Sequence, residues 1–188
     1  MLKISLIYDY LRTLILPLVE IDKFVPKSNR IYDLGCGEGV ISRYLARIKT
    51  REIIGVDNSE KRLKKTNFKN LRFILTDIRT FDLNKAGGVV ISDVLHHLNF
   101  NDQAKLLRNV YKKLNKNGVL VVKEIDREEF IRSRLSRFWD FILYPNDKIY
   151  YHKSTELKNF LTSLGFNVKV VRTSRFFPGS TTLFLCRK

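Results

Sequence analysis

The sequence predicts an α/β protein built on a doubly wound, mostly parallel sheet, and three observations predict it. Short apolar runs alternate with helix-period segments as far as Val122, the order of a parallel sheet with right-handed crossovers. Across residues 31–48 a strand passes into a helix through Gly35, Gly37 and Gly39, three glycines at alternate positions. After Gly165 the pattern changes to two alternating apolar runs joined by Phe177-Pro178-Gly179-Ser180, which reads as an antiparallel hairpin at a sheet edge.

The elements follow in order within one domain, residues 1–188. A helix over residues 4–20 carries Ile7, Leu11, Leu14 and Leu18 on one stripe. Pro26 to Asn29 is a loop before a first strand ending at Ile31 and Leu34. Val40, Ile41, Tyr44, Leu45 and Ile48 then recur at helical spacing. A second strand (52–56) ends in Asp57, and a helix bearing Lys61, Lys64 and Lys65 is expected after it, with Asn58 able to cap it. A third strand (71–75) runs into Thr76-Asp77-Ile78, and the short connection 79–87 leaves no more than a vestigial helix. A fourth strand (88–91) leads into Ser92-Asp93-Val94-Leu95-His96-His97-Leu98. Residues 101–114 form a helix with Ala104, Leu107, Val110 and Leu114 buried, ended by Asn117-Gly118. A fifth strand (119–122) precedes Lys123-Glu124-Ile125-Asp126. An aromatic helix over 128–143, with Arg132, Arg134 and Arg137, stops at Pro145. Ser154 is read as the N-cap of a last helix, with the stripe Leu157, Phe160, Leu161, Leu164. Val168 opens a sixth strand and Thr181 a seventh.

The glycine loop narrows the ligand. The segment Ile31-Tyr32-Asp33-Leu34-Gly35-Cys36-Gly37-Glu38-Gly39 departs from the dinucleotide fingerprint, whose third glycine lies one residue further on. It also carries an acid, Asp33, inside the strand. Both features favour a positively charged, amino-acid-like ligand over a pyrophosphate. The segment resembles the first motif of class I S-adenosylmethionine-dependent methyltransferases. Asp57, 18 residues after Gly39, and the five strand ends in order extend the resemblance over most of the chain.

That resemblance implies a Rossmann-like, seven-stranded sheet of order 3-2-1-4-5-7-6 with an antiparallel last strand, and S-adenosylmethionine as cofactor. Carried residue by residue, the cofactor site comprises Asp33, Gly35, Cys36, Gly37 and Gly39 at the loop. Asp57 would hold the ribose with Asn58 beside it. Asp77 and Ile78 would meet the adenine, and Ser92 and Asp93 would flank the methionine end. Methyl transfer from a sulfonium needs a nucleophile about 3–3.5 Å from the methyl carbon and a dry site more than a strong base. For an acceptor that must lose a proton, His96, Glu124 and Asp126 are the candidate catalytic groups, while His97 reads as a core histidine anchoring the loop.

Composition bounds the rest. No segment approaches the roughly 20 apolar residues of a membrane helix, and the first residues lack a signal-peptide pattern, so a cytoplasmic protein is expected. Two cysteines make no disulfide framework, and no Cys/His cluster has zinc spacing. The net charge is +16, unevenly spread: residues 1–60 hold nine Lys/Arg and eight Asp/Glu, the remainder 26 and 11. Lys61, Arg62, Lys64, Lys65, Lys69 and Arg72 fall within twelve residues free of acids. Transfer to a small-molecule or lipid-like acceptor is the favoured activity, with residues 127–151 as its lid. An RNA or protein methyltransferase using the basic surface is the rival. The Asn/Asp-Pro-Pro-Tyr motif of many base-amine methyltransferases is replaced by Ser92-Asp93-Val94-Leu95, which counts against base amines. A third reading is a cofactor-binding module without catalysis. Nothing in the sequence sets an oligomeric state.

Overall fold

A computed structural model describes residues 16–125, 149–172 and 181–188. Seven strands form one sheet: β1 (Asn29–Leu34), β2 (Arg51–Asp57), β3 (Leu71–Leu75), β4 (Ala86–Ser92), β5 (Leu114–Ile125), β6 (Asn167–Arg172) and β7 (Thr181–Arg187). Their order is β3-β2-β1-β4-β5-β7-β6, as expected. The strand pairs from β3 through β5 are parallel, and β7 runs antiparallel to both β5 and β6.

The two faces of the sheet carry separate cores because successive side chains alternate. Ile31, Ile53, Val90 and Val121 face α1 (Leu18–Phe24) and α2 (Val40–Leu45). Leu34, Val56, Ile91 and Val122 face α3 (Phe100–Lys113) and α4 (Ser154–Ser163). Burial on both faces accounts for the continuous apolar runs in the central strands. Arg51 ties β2 to the end of α1 with a side chain wholly removed from solvent. Its guanidinium donates to Asp22 Oδ1 at 2.6 Å and to the carbonyls of Pro26, Asp22, Val25 and Leu45.

Several elements differ from the sequence reading. The first described helix starts at Leu18, after Pro17, and continues to Phe24, beyond the expected end at residue 20. Most of the expected helix, residues 4–15, lies outside the described residues. No helix follows β2. Ser59 O accepts from the amides of Arg62 and Leu63, closing a single turn, and the chain then runs irregularly to β3. Leu63 is the one apolar residue between Asn58 and Phe68, so a helix there would have no stripe to bury. α3 ends at Lys113, and Asn117-Gly118 belongs to an irregular opening of β5 rather than to a helix end. α4 takes Lys153 as N-cap, one residue before Ser154, and Glu156 Oε2 accepts from the Lys153 amide at 3.2 Å. No helix among the described residues is long and apolar enough to cross a membrane. Residues 126–148, which hold nearly all of the expected lid, lie outside the description.

Candidate active site

The glycine loop forms at the carboxyl end of β1. The amides of Gly35 and Cys36 both donate to Val56 O, at 2.7 and 3.0 Å, which folds the chain back over β2. Gly35 (φ +72°) and Gly39 (φ +77°) lie in the left-handed region, and neither has room for a side chain. A Cβ on Gly35 would stand 2.4 Å from Val94 Cγ2, and one on Gly39 2.4 Å from the Phe73 ring. Beneath the loop is a cleft of about 260 Å³ lined by Leu16, Asp33, Gly35, Cys36, Val40, Ile41 and Ser92. The Asp33 carboxylate is buried and takes the Ser42 hydroxyl at 2.5 Å, bracing α2 against β1. Burial, with the Asp33 and Asp57 charges, pushes the Cys36 thiol far above its usual range, so it stays protonated.

Asp57 ends β2 with 5% exposure. Its Oδ2 accepts from the Gly37 amide at 2.8 Å and its Oδ1 from the Ser59 amide at 2.9 Å. Each oxygen keeps a second lone pair for a ligand hydroxyl, so the group fits a vicinal diol. Asn58 beside it is exposed. The following loop is fastened to the glycine loop by Arg43, which donates to the carbonyls of Glu38 and Lys64, and by Lys64 Nζ on Glu38 Oε2 at 2.9 Å. At the end of β3 the Asp77 carboxylate is gripped by the Arg79 side chain and amide, which hold it below the usual carboxylate range against the effect of burial. Ile78, the residue after Asp77, packs into the α3/α4-side core.

The ends of β4 and β5 hold charged groups on opposite faces of the sheet. Ser92 lines the cleft, and its hydroxyl lies 3.3 Å from Asp93 Oδ2. Asp93 adopts φ +55°, and both its oxygens meet Lys123 Nζ, at 2.7 and 2.6 Å. One residue along, Glu124 points to the other face. Its Oε1 takes the amides of Val94 (3.2 Å) and Leu95 (2.8 Å), and its Oε2 meets His96 Nδ1 at 2.7 Å. His96 is buried, stacks on Tyr151 and borders a small pocket beside α4 that Gln103, Glu124 and Leu157 also line.

The strand ends thus bring Asp33, Gly35, Cys36 and Ser92 to one cleft, with Asp57 and Asp93 at its margins. They do not bring His96 or Glu124 there, which corrects the expectation of a base drawn from that pair: strand alternation sends Glu124 to the α3/α4 side, where it fixes the loop 94–96. Asp126 lies outside the described residues. The sequence reading passed over Lys123, although a charge directly after the apolar run 119–122 marked it. It also passed over Arg43, a half-buried residue of α2, and Arg79, in the exposed turn after β3, where no local pattern singles them out.

A seven-stranded sheet of this order, with a glycine-loop cleft at the end of its first strand and an acid ending its second, defines the class I methyltransferase architecture. A methyltransferase-domain family model matches residues 7–170, and the chain belongs to that family, whose cofactor is S-adenosylmethionine. A carboxy-S-adenosyl-L-methionine synthase of Glaesserella parasuis serovar 5 (strain SH0165) is 36% identical over 114 residues, 54% of this chain and 47% of that protein. The chain spans about half the length of the curated relatives it matches. A SAM-dependent methyltransferase from Archaeoglobus fulgidus shares the fold with a TM-score of 0.73 at 20% identity, over 91% of each chain. Magnesium protoporphyrin IX methyltransferase from Synechocystis PCC 6803, with SAH bound, does so with a TM-score of 0.70 at 19% identity, over 96% of this chain and 83% of that one.

Proposed function

We propose that the chain transfers the methyl group of S-adenosylmethionine to a small-molecule or lipid-like acceptor. One observation carries the acceptor class: the cleft and the basic loop occupy different parts of the sheet. The cleft spans β1 and β4, Asp57 lies on its β2 side, and β4 and β5 are left to form the acceptor side. Residues 58–70 connect β2 to β3 and carry Lys61, Arg62, Lys64, Lys65 and Lys69, with Arg72 following on β3. Strands lie about 4.8 Å apart, so that loop, three to four strands away, sits about 14–19 Å from β5. A nucleic acid gripped there would hold its nucleophile well away from the methyl group. The curated relatives are named for making carboxy-S-adenosyl-L-methionine, a small molecule, which supports the same class.

The cofactor supplies a methyl group activated on a sulfonium, and the chain's residues hold and orient it. Asp57 accepts from the ribose hydroxyls while the Gly37 and Ser59 amides hold its carboxylate in place. The glycine loop admits the amino-acid end to the main chain, and Asp33, fixed by Ser42, sets a negative charge beneath it. Asp77 faces the adenine side with Arg79 steadying its carboxylate.

Calorimetry with S-adenosylmethionine, S-adenosylhomocysteine and a nicotinamide dinucleotide tests the reading. Micromolar binding of the first two is expected; heat with the dinucleotide alone would sink it. Gel shifts at two salt concentrations address the rival. Any RNA affinity is expected to be weak and to fall with a log–log slope of about −0.7 per phosphate contact. Tight, structure-selective binding that survives moderate salt would move RNA to first place.

A further inference from the structure

Three features at the β4–β5 exit need a common account. Asp93 is a non-glycine residue held at φ +55°, a conformation that persists only when its surroundings enforce it. Lys123 is a lysine with 6% side-chain exposure directly after the apolar run 119–122. A buried ion pair of this kind is no better for stability than apolar residues of the same volume. The pair also adjoins the cleft directly, through the Ser92 hydroxyl at 3.3 Å from Asp93 Oδ2.

The pair is asymmetric. Asp93 keeps 26% side-chain exposure against 6% for Lys123, so a molecule arriving at this exit meets the carboxylate and not the ammonium. A carboxylate accepts hydrogen bonds and repels anions. We propose that Asp93, positioned by Lys123, orients the methyl acceptor, and that the acceptor is therefore a hydrogen-bond-donating nucleophile, a hydroxyl or an uncharged amine, and not a carboxylate or phosphate. This rests on the methyltransferase reading and goes beyond it in naming the reacting group.

The chemistry balances without another reactant. The acceptor oxygen or nitrogen forms a bond to the methyl carbon, and the carbon–sulfur pair stays on sulfur, cancelling its positive charge. The acceptor atom, now carrying the positive charge, becomes strongly acidic and gives its proton to Asp93, which passes it to water. A carboxylate suffices, because the proton leaves after the bond has formed. Lys123 touches neither reactant; it fixes the rotamer of Asp93 through both carboxylate oxygens.

The test uses the full chain saturated with S-adenosylhomocysteine and three probes of similar shape: benzyl alcohol, aniline, which is uncharged at neutral pH, and benzoate, titrated by ligand-observed NMR. The alcohol and the amine are expected to bind and benzoate not to. Asp93→Asn should weaken the alcohol about tenfold, the loss of a charge-assisted hydrogen bond. Lys123→Met should weaken it several-fold and Lys123→Arg restore it, a rescue that a merely space-filling lysine would not show. Benzoate binding as tightly as the alcohol, no binding of either donor probe, an Asp93→Asn variant equal to the parent, or failure of Lys123→Arg to rescue would each overturn the proposal. Failure to bind S-adenosylhomocysteine at the outset would instead overturn the methyltransferase reading.

Discussion

Glu124 Oε2 stands 2.7 Å from His96 Nδ1 while the other oxygen of the same carboxylate receives the Val94 and Leu95 amides, so one buried side chain sets both the backbone and the imidazole of the loop after β4. The carboxylate satisfies two orphan donors of a short helical turn (Leu95–His97) and is itself hydrogen-bonded at both oxygens.

Glu124→Gln should therefore act on stability first. An amide of the same size keeps one acceptor but loses the charge, and a loss of about 1–3 kcal/mol is expected. Thermal unfolding measures it. An unchanged Tm would mean that the loop holds itself without Glu124.

Asp57→Ala removes the one charged acceptor at the ribose position and also frees the Gly37 amide. S-adenosylhomocysteine affinity should fall at least tenfold, since hydrogen bonds to a charged group contribute about 1.5–3 kcal/mol. Calorimetry on a variant with a normal circular dichroism spectrum decides; parent-like affinity would remove Asp57 from the site.

Gly35→Ala meets two obstacles, the left-handed backbone and the Val94 methyl 2.4 Å from the new Cβ. The backbone component is about 1–2 kcal/mol and the steric one adds to it. The double variant Gly35→Ala, Val94→Ala should recover the steric part alone. Equal Tm values for the single and double variants would leave only the backbone strain.

Acid should weaken the fold through Asp22 and Asp77. Burial pushes the Asp22 carboxyl up, but the hydrogen bonds and charges of Arg51 and Lys27 together outweigh it and hold it below its usual range. Arg79 does the same for Asp77. A carboxyl depressed in the folded state binds protons more readily when unfolded. Its stabilisation is therefore present above the ordinary carboxylate value of about 4 and is lost as the pH falls through the lower folded value. Denaturant midpoints should fall between about pH 4 and pH 2, and in Arg51→Met the Asp22 share of that fall should shrink to what Lys27 sustains.

The sheet was legible because its signals are local and repeated. Runs such as Ile53 to Val56 and Val89 to Ile91 are bounded by turn residues, and the glycine loop names the first crossover. The basic loop after β2 was misread because charge spacing mimics a helix while supplying no face to bury. Glu124 was read as a candidate base with Asp126 while its neighbour Lys123 was passed over, yet a strand sends neighbours to opposite faces, and it is Lys123 that adjoins the cleft side. Which face meets the cleft follows from the pairing with β4 and β7, which no local pattern reports. Asp77 was legible as a strand-end acid, but Arg79's hold on it depends on a side-chain path over an exposed turn.

The alternation of Lys123 and Glu124 also bears on how the chain avoids misfolding. Lys123 takes Asp93 from one side of the sheet and Glu124 takes Val94, Leu95 and His96 from the other. Sliding β5 by one residue against β4 would exchange the two, setting a carboxylate against Asp93 and an ammonium against backbone donors. The irregular opening of β5, between its Ala86 and Gly88 pairings, is where such a slip would begin. Two opposite charges in adjacent positions thus act as a keyed joint, admitting the central strand pair in a single alignment.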